Sequence, residues 1–143
     1  MTTITNIMAN SHASCDELLA NAENLAVDQN WQKLTAVFES FVEETEKHFR
    51  NEEEILFPKT EGILPPGGPV EVMKYEHRQM RDLIGNLREQ LGKQDQAGFL
   101  GEIETLVILM QQHNMKEEQI LYPMLDQLLS EDVGTVIEEM DLT

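Results

Sequence analysis

An eleven-residue segment occurs twice in the chain, and this repeat decides the fold. The first copy is His48-Phe-Arg-Asn-Glu-Glu-Glu-Ile-Leu-Phe-Pro58, and the second, 65 residues later, is His113-Asn-Met-Lys-Glu-Glu-Gln-Ile-Leu-Tyr-Pro123. The same offset carries His12 onto His77. The chain is therefore predicted to contain two copies of a helical hairpin, each with one histidine on its first helix and a His-x-x-x-Glu pair on its second.

The spacing of apolar residues predicts helices along most of the chain. Apolar side chains recur at alternating steps of three and four residues, and no segment alternates apolar and polar residues as a strand would. Glycine and proline cluster only in residues 62–69, which predicts the main connection. We expect helices near residues 6–27, 30–58, 69–92 and 96–129, and a short fifth helix at 131–140 with Ser130 as its N-cap.

These elements predict an all-α protein, an up-down-up-down four-helix bundle with an internal two-hairpin repeat and a short C-terminal fifth helix. The 143 residues, 41% of them hydrophobic, suffice for one core, so we expect a single domain over residues 1–143. The points midway between successive histidines are Asn30, Gly62–Ile63 and Asp95, all at predicted turns. Because a helix rises about 1.5 Å per residue, residues equidistant from a turn reach the same level. All four histidines are therefore expected in one layer.

The second and fourth helices are predicted to carry their His-x-x-x-Glu pairs on the side that faces the core. The core positions of the second helix are Leu34, Phe38, Phe41, Thr45, His48, Glu52 and Ile55. Those of the fourth helix are Ile103, Leu106, Met110, His113, Glu117, Ile120 and Met124. Imidazoles and carboxylates thus replace apolar residues in the interior, where polar groups without partners are costly.

A pair of cations would satisfy these buried groups. Carboxylates that bridge two metals hold them about 3.5–4 Å apart, and two histidines on each metal complete the protein ligands. Nitrogen and oxygen ligands of this kind suit iron, although zinc, copper and nickel also accept them. We expect one metal on His12 and His48, the other on His77 and His113, and bridges from Glu52 and Glu117.

These motifs resemble those of the hemerythrin-like domain, also called the histidine–histidine–glutamate (HHE) cation-binding domain. The resemblance rests on the six expected ligands and the two Ile-Leu-(Phe/Tyr)-Pro tails, and it runs from about Met8 to Leu128. It implies a non-haem centre of two iron ions (Fe²⁺/Fe³⁺) with a solvent-derived oxo or hydroxo bridge. The ligand that it implies is dioxygen or another small diatomic or peroxide molecule.

The third helix departs from the pattern of the family's oxygen carriers, which place a second histidine one turn away on that helix. Here Met73 and Arg81 occupy the positions that flank His77. With four histidines in place of five, both irons are expected to keep an open position. This departure argues against simple reversible carriage of oxygen.

Other polar side chains beside the motifs are expected to have ordinary structural roles. Glu53 and Glu118 follow the expected bridges, and a solvated position is favoured over a hydrogen bond to a histidine. Cys15 lies one turn after His12 and is expected to be a small buried hydrophobe rather than a ligand. Tyr75 and Tyr122 are expected to hold their hydroxyls at the surface.

Charge and composition exclude several classes of partner. The 27 acidic residues outnumber the 10 basic ones, and a net charge of −17 repels nucleic acid and anionic membranes. The longest apolar run, residues 106–110, is too short to span a bilayer. The first residues have neither the charge nor the apolar run of a secretory signal, and a lone cysteine permits no internal disulfide. We therefore expect a cytoplasmic protein.

Three functions remain open at the level of the sequence. The first is binding or sensing of dioxygen or a related small oxidant. The second is a redox enzyme that reduces oxygen, peroxide or nitric oxide and is re-reduced by an external electron donor. The third is iron sensing, delivery or repair, which ranks last because similar repair proteins carry an N-terminal segment with cysteines and this chain begins almost directly at the first predicted helix.

Overall fold

Helices account for most of the chain, as the apolar spacing predicts. The computed structural model describes residues 2–142 and contains no strand within that range. The α-helices are α1 (Ile4–Val27), α2 (Trp31–Arg50), α3 (Pro69–Gly92), α4 (Gln96–Lys116), α5 (Tyr122–Leu128) and α6 (Val133–Glu139). The predicted helices and the all-α class are confirmed, with ends that differ by a few residues. Within the described range, none of these helices is long and apolar enough to cross a membrane.

The four long helices form the predicted up-down-up-down bundle. Helix α1 packs against α2 and α4, while α3 packs against α4 and α2. The connections α1–α2 and α3–α4 each contain three residues, 28–30 and 93–95, so the helices that they join must run antiparallel. Residues 61–68 form the longer connection between the two hairpins.

The two hairpin turns show that the sequence repeat is also a repeat of the backbone. Gln29 and Gln94 lie 65 positions apart and both adopt the left-handed conformation, with φ of 54° and 52°. The next residues, Asn30 and Asp95, cap α2 and α4 by accepting a hydrogen bond from the backbone N–H three positions on, at 3.3 and 3.0 Å. The predicted turns at Asn30 and Asp95 are therefore confirmed.

The short last helix is present, but its predicted cap is wrong. Helix α6 begins at Val133, and Asp132 rather than Ser130 precedes it. The chain first makes one more turn, closed by a hydrogen bond of 2.8 Å from the N–H of Asp132 to the carbonyl of Leu129. That turn uses up the residues that would otherwise begin the helix.

Both motif helices widen at the glutamate of the His-x-x-x-Glu pair. Residues Asn51–Leu56 and Glu117–Leu121 are π-helical, and a 3₁₀ turn, Phe57–Thr60, ends the first of these segments. In each π segment a backbone N–H bonds to a carbonyl five residues earlier, Phe57 to Glu52 and Tyr122 to Glu117. The proline that follows explains the widening, because it lacks an N–H and its ring crowds the carbonyl four residues before it.

The π turns correct the predicted core positions beyond the glutamates. Ile55, Ile120 and Met124 were expected in the core, but Ile120 is 57% exposed and the other two are half-buried. The extra residue in the turn shifts the buried side by one position. Leu56 and Leu121 take the buried places instead.

Two apolar clusters lie above and below the level of the histidines. The cluster towards the hairpin turns is the larger, and its members include Ala22, Leu34, Phe38, Met80, Leu87, Phe99 and Ile103. The cluster at the other end contains Ile4, Met8, Leu56, Phe57, Met73, Leu121, Tyr122 and Leu125 with residues of the C-terminal helix. A polar layer between these clusters is shielded from water on both sides.

The start of α1 is fixed to α5 by Asp126. Its carboxylate accepts hydrogen bonds from the backbone N–H groups of Ile4 and Thr5, at 2.7 and 3.1 Å, and from the Thr5 hydroxyl at 2.6 Å. We predict that Asp126→Ala lowers the free energy of unfolding by about 1–2 kcal/mol, because three donors at a helix start lose their acceptor. Urea denaturation followed by circular dichroism measures the change.

Asp132→Ala is the matched control. Asp132 also precedes a helix, but it is exposed and its side chain makes no capping hydrogen bond. Its replacement is expected to change stability by less than about 0.5 kcal/mol. Equal losses in the two variants would contradict the role assigned to Asp126.

Candidate metal centre

Four histidines and two glutamates meet in one buried layer of the bundle. All six are the residues expected from the sequence: His12, His48, Glu52, His77, His113 and Glu117. None is more than 4% exposed. The histidines come from all four long helices. Glu52 is the second residue of its π segment, and Glu117 is the first residue of the other.

The histidines form two pairs, one from each hairpin. The ring centroids of His12 and His48 are 4.5 Å apart, and those of His77 and His113 are 5.1 Å apart. Each pair thus combines the histidine of a hairpin's first helix with the motif histidine of its second. Such pairing is the one expected from the sequence.

Each glutamate reaches a histidine of both pairs. Oε1 of Glu52 lies 3.4 Å from Nε2 of His48 and 3.1 Å from Nε2 of His77. The second glutamate is more central. Oε1 of Glu117 lies 3.0 Å from Nε2 of His12 and 3.1 Å from Nε2 of His113.

Ligating atoms that lie close enough to share a cation fall into two groups. One group contains Glu52, His77, His113 and Glu117, and the other contains His12, His48 and Glu117. Glu117 belongs to both groups, as a bridge would. The arrangement therefore offers two adjacent cation positions with a carboxylate between them.

Several atoms in this layer are buried without a hydrogen bond. Across residues 2–142, six buried side-chain atoms have no such partner. Four belong to the layer: Oε1 of Glu52, Oε2 of Glu117, and Nε2 of His77 and of His113. Because burying a polar atom without a partner costs about 1–3 kcal/mol, their concentration in one place indicates a missing partner that the chain itself does not supply. A cation fits that place, since all four atoms are metal-binding donors.

The comparison with protein families agrees with this geometry. The family model described as "Hemerythrin HHE cation binding domain" matches residues 3–125. The chain belongs to the hemerythrin HHE cation-binding family. The predicted resemblance is thereby confirmed, and the buried histidine–glutamate cluster is compatible with the di-iron site of a hemerythrin-like domain.

A curated relative of this hemerythrin-like chain is an uncharacterised hemerythrin-like protein of Schizosaccharomyces pombe (strain 972 / ATCC 24843). It is 26% identical over 134 residues, which cover 92% of this chain and 64% of the relative. The chain thus spans just under two thirds of the relative's length. No solved structure matches the chain significantly.

The histidine rings of the hemerythrin-like site are held from outside by further side chains. Nδ1 of His12 lies 2.7 Å from Glu118, and Nδ1 of His77 lies 2.6 Å from Glu53. The expectation that both glutamates are merely solvated is therefore wrong. Each follows a central glutamate along the widened turn and reaches across to the other hairpin. Such a hydrogen bond fixes the ring's orientation and directs Nε2 towards the centre.

Two further partners of the histidines were not foreseen from the sequence. Nδ1 of His113 lies 2.8 Å from the carboxylate of Glu76, and Nδ1 of His48 lies 2.8 Å from the hydroxyl of Ser11. Glu76 is buried in spite of its charge. Their position in the repeat is the signal that could have found them. Each directly precedes the histidine on the first helix of a hairpin, and each contacts the histidine on the second helix of the same hairpin.

Tyr122 is the main functional candidate that sequence reasoning placed wrongly. Its side chain is fully buried, whereas Tyr75 is 54% exposed as expected. The Tyr122 hydroxyl lies 2.8 Å from Oε2 of Glu52 and 2.9 Å from Oε1 of Glu117, and its single proton is shared between these two acceptors. It also lies 3.3 Å from Nε2 of both His12 and His48. The hydroxyl therefore lies inside the layer, beside the first histidine pair.

Burial changes the protonation of the central groups. It lowers the pKa of His48 and of His77 to about 4, so both imidazoles are neutral at neutral pH, which is the form that binds metals. Burial and the charge of Glu117 raise the pKa of Glu52 well above its usual range. Burial would also raise the pKa of Glu117, but hydrogen bonds from Glu52 and the histidines hold it well below that range.

Cys15 lies outside the two groups of ligating atoms. It is buried in the larger apolar cluster, as expected for a small hydrophobe. Burial raises the pKa of its thiol to about 11, so the thiolate that would bind metal or react is scarce at neutral pH.

We predict that Tyr122→Phe makes the metal-free protein less stable by about 1–3 kcal/mol, because two buried carboxylate oxygens lose a hydrogen-bond donor. Urea denaturation in the presence of a chelator measures the change. Tyr75→Phe is the control, since that hydroxyl is exposed and accepts only a long bond of 3.4 Å from Gln79. A Tyr122→Phe protein as stable as the control would show that the hydroxyl does not engage the carboxylates.

Proposed function

We propose that this protein is a non-haem di-iron protein that binds or senses dioxygen or a related small oxidant. The observation that carries the proposal is the convergence of four histidines and two glutamates in one buried layer, with four of their ligating atoms unpaired. Membership of the HHE cation-binding family favours iron over other metals that accept the same donors. The proposal concerns this chain and does not extend to the Schizosaccharomyces pombe relative, of which the match covers 64%.

In this proposal the ligands are those expected from the sequence. His12 and His48 would hold one iron and His77 and His113 the other, with Glu52 and Glu117 as shared carboxylate ligands and a solvent-derived oxo or hydroxo group completing the centre. Four nitrogen–oxygen distances between 3.0 and 3.4 Å support this assignment. Two ligands bonded to one ion at about 2.1 Å lie about 3–3.4 Å apart, so only small movements are needed to close around a metal.

When bound, ferrous iron supplies the electrons for the reaction with the oxidant. The chain's own residues orient the ligands, exclude water and provide a hydrogen-bond donor. The ring of Phe49 stacks on His77 with centroids 4.0 Å apart, and that of Phe57 lies at 6.0 Å, which closes this side of the layer to water. The hydroxyl of Tyr122 keeps its proton, because burial and the charges of both glutamates raise its pKa well above the usual range.

A redox enzyme is the second candidate, and the position of Tyr122 favours it. A buried phenol that keeps its proton beside both carboxylates can donate a hydrogen bond to a reduced product within the layer. In that case the centre reduces oxygen, peroxide or nitric oxide and is re-reduced by an external electron donor. The lone buried Cys15 supports work in a reducing compartment such as the cytoplasm for either function.

The ligand assignment predicts the metal content of glutamate variants. Glu52→Ala and Glu117→Ala each remove a bridge, and we expect each to lower the iron content after anaerobic ferrous loading and desalting from two ions per chain to one or none. Elemental analysis by mass spectrometry measures this content. Glu54→Ala is the control, because Glu54 is exposed in the same π segment. Two retained ions in Glu52→Ala, with helicity intact, would exclude Glu52 as a bridge.

Exposure of the ferrous protein to oxygen separates the two candidate functions. Visible absorption that appears with oxygen and fades on evacuation is expected for binding or sensing. Lasting oxidation, with consumption of a supplied reductant over many cycles, is the result expected for a redox enzyme. A loaded protein that shows neither change with oxygen, peroxide or nitric oxide would contradict both.

A further inference from the structure

The two proposed metal positions have equivalent ligands but different surroundings. We name them position 1, with His12 and His48, and position 2, with His77 and His113. The offset of 65 residues relates the two pairs of histidines to each other. It does not preserve the side chains that hold the outer nitrogens of their rings.

Position 2 has a carboxylate on each histidine. Nδ1 of His77 lies 2.6 Å from Glu53, and Nδ1 of His113 lies 2.8 Å from Glu76. The Glu53 side chain is 27% exposed and that of Glu76 only 9%. With Nε2 turned towards the centre, both Nδ1–H groups donate to a largely shielded negative charge.

Basic residues hold both of these carboxylates in place. Arg81 bonds to the two oxygens of Glu53 at 2.9 and 3.1 Å and to the two oxygens of Glu46 at 3.0 and 3.1 Å. Its guanidinium also lies over the Phe49 ring, 5.0 Å from the centroid. Lys116 forms an ion pair with Glu76. The carboxylates therefore cannot turn away from their histidines without breaking these contacts.

Position 1 has one carboxylate and one hydroxyl. Nδ1 of His48 lies 2.8 Å from the hydroxyl of Ser11, which replaces Glu76 at the repeat offset. Nδ1 of His12 lies 2.7 Å from Glu118, whose side chain is 37% exposed. One histidine thus donates to a neutral group, and the other donates to a partly solvated charge.

The basic residues that support position 2 have no basic counterparts at position 1. Asp16 stands where the offset would place the counterpart of Arg81, and it lines a surface groove together with Glu118. Asn51 is the counterpart of Lys116, and its amide pairs instead with the backbone of Asp141 at 2.7 and 2.8 Å. Neither change supplies a positive charge to hold an outer carboxylate.

Building on the proposed di-iron function, we propose that the two positions are unequal and that position 2 binds its metal first and more tightly. A carboxylate that accepts the outer N–H of a metal-bound histidine raises the basicity of the ring and fixes its orientation. Loss of such a partner typically costs about 10–100-fold in metal affinity. The two positions here differ by about one such partner. Position 2 has two fixed carboxylates of this kind. Position 1 has one, and it is less fixed.

The acids beside position 1 do not reverse this order. Asp16 and Glu118 attract cations, but Asp16 is exposed and the Glu118 side chain is 37% exposed, so solvent screens their charges. Hydrogen bonds of fixed geometry act on the ligating nitrogens themselves. The expected difference in affinity is therefore at least about tenfold in favour of position 2.

Calorimetric titration of the metal-free full chain with Co²⁺, a stand-in for Fe²⁺ that is stable in air, tests the order. Two binding steps are expected, with dissociation constants at least about tenfold apart. His12→Ala should keep the tighter step, and His77→Ala should lose it. A single step of two equivalents, equal constants, or the tighter step surviving only in His77→Ala would overturn the proposal.

Exchange of the repeat-related residues gives a readout that a merely structural role would not produce. Glu76→Ser gives position 2 the hydroxyl of position 1 and should weaken the tighter step by about 10–100-fold. Ser11→Glu should strengthen the weaker step. Glu76→Gln keeps the shape and an acceptor oxygen, so it should fold if Glu76→Ser does not, and a smaller loss is expected. Unchanged constants in all three variants would overturn the proposal.

The same titrations distinguish this inference from the function on which it depends. Two ions bound with equal affinity would refute the inequality and leave the two-metal centre intact. A folded chain that binds neither Co²⁺ nor, under anaerobic conditions, Fe²⁺ would refute both.

Discussion

The structure depends on one constraint, which is that six polar side chains must be buried at a single level between two apolar clusters. Four of their ligating atoms have no hydrogen bond of good geometry, and a buried polar atom left in this way costs about 1–3 kcal/mol. Close contacts such as the 3.1 Å between Nε2 of His77 and Oε1 of Glu52 offset only part of this cost. The apolar clusters on either side must offset this cost when no cation is present. The proposed metal binding would therefore be linked to folding, because a cation that satisfies the layer removes the penalty only in the folded state.

The sequence was sufficient to predict the bundle and the members of the polar layer. The repeat and the midpoints Asn30 and Asp95 fixed the levels of the histidines, since straight helices of constant rise were a good approximation as far as the motifs. The approximation failed directly after Glu52 and Glu117. A π turn adds one residue there, so periodicity placed Ile120 in the core when it is exposed. The prolines at the ends of the repeats were the visible cause.

Tyr122 was expected at the surface because a tyrosine hydroxyl is commonly exposed, whereas the widened turn rotates this tyrosine inwards. For Glu53 and Glu118 the sequence favoured a solvated position over a hydrogen bond to a histidine, because charged side chains are seldom buried. On a regular helix, residues adjacent to an inward-facing glutamate point away from the core, but contacts with a histidine of the opposite hairpin depend on how the helices meet. Periodicity within one helix contains no information on that crossing.

The crossing contacts make each hairpin dependent on the other. His12 of the first hairpin is held by Glu118 of the second, and His77 of the second is held by Glu53 of the first. These two contacts are equivalent in the repeat, because the offset of 65 residues carries His12 onto His77 and Glu53 onto Glu118. A lone hairpin could complete neither of them, but two identical hairpins could complete both, as in a symmetric homodimer. In one continuous chain the two halves need not be identical, so a serine and a glutamate can occupy equivalent places, as Ser11 and Glu76 do.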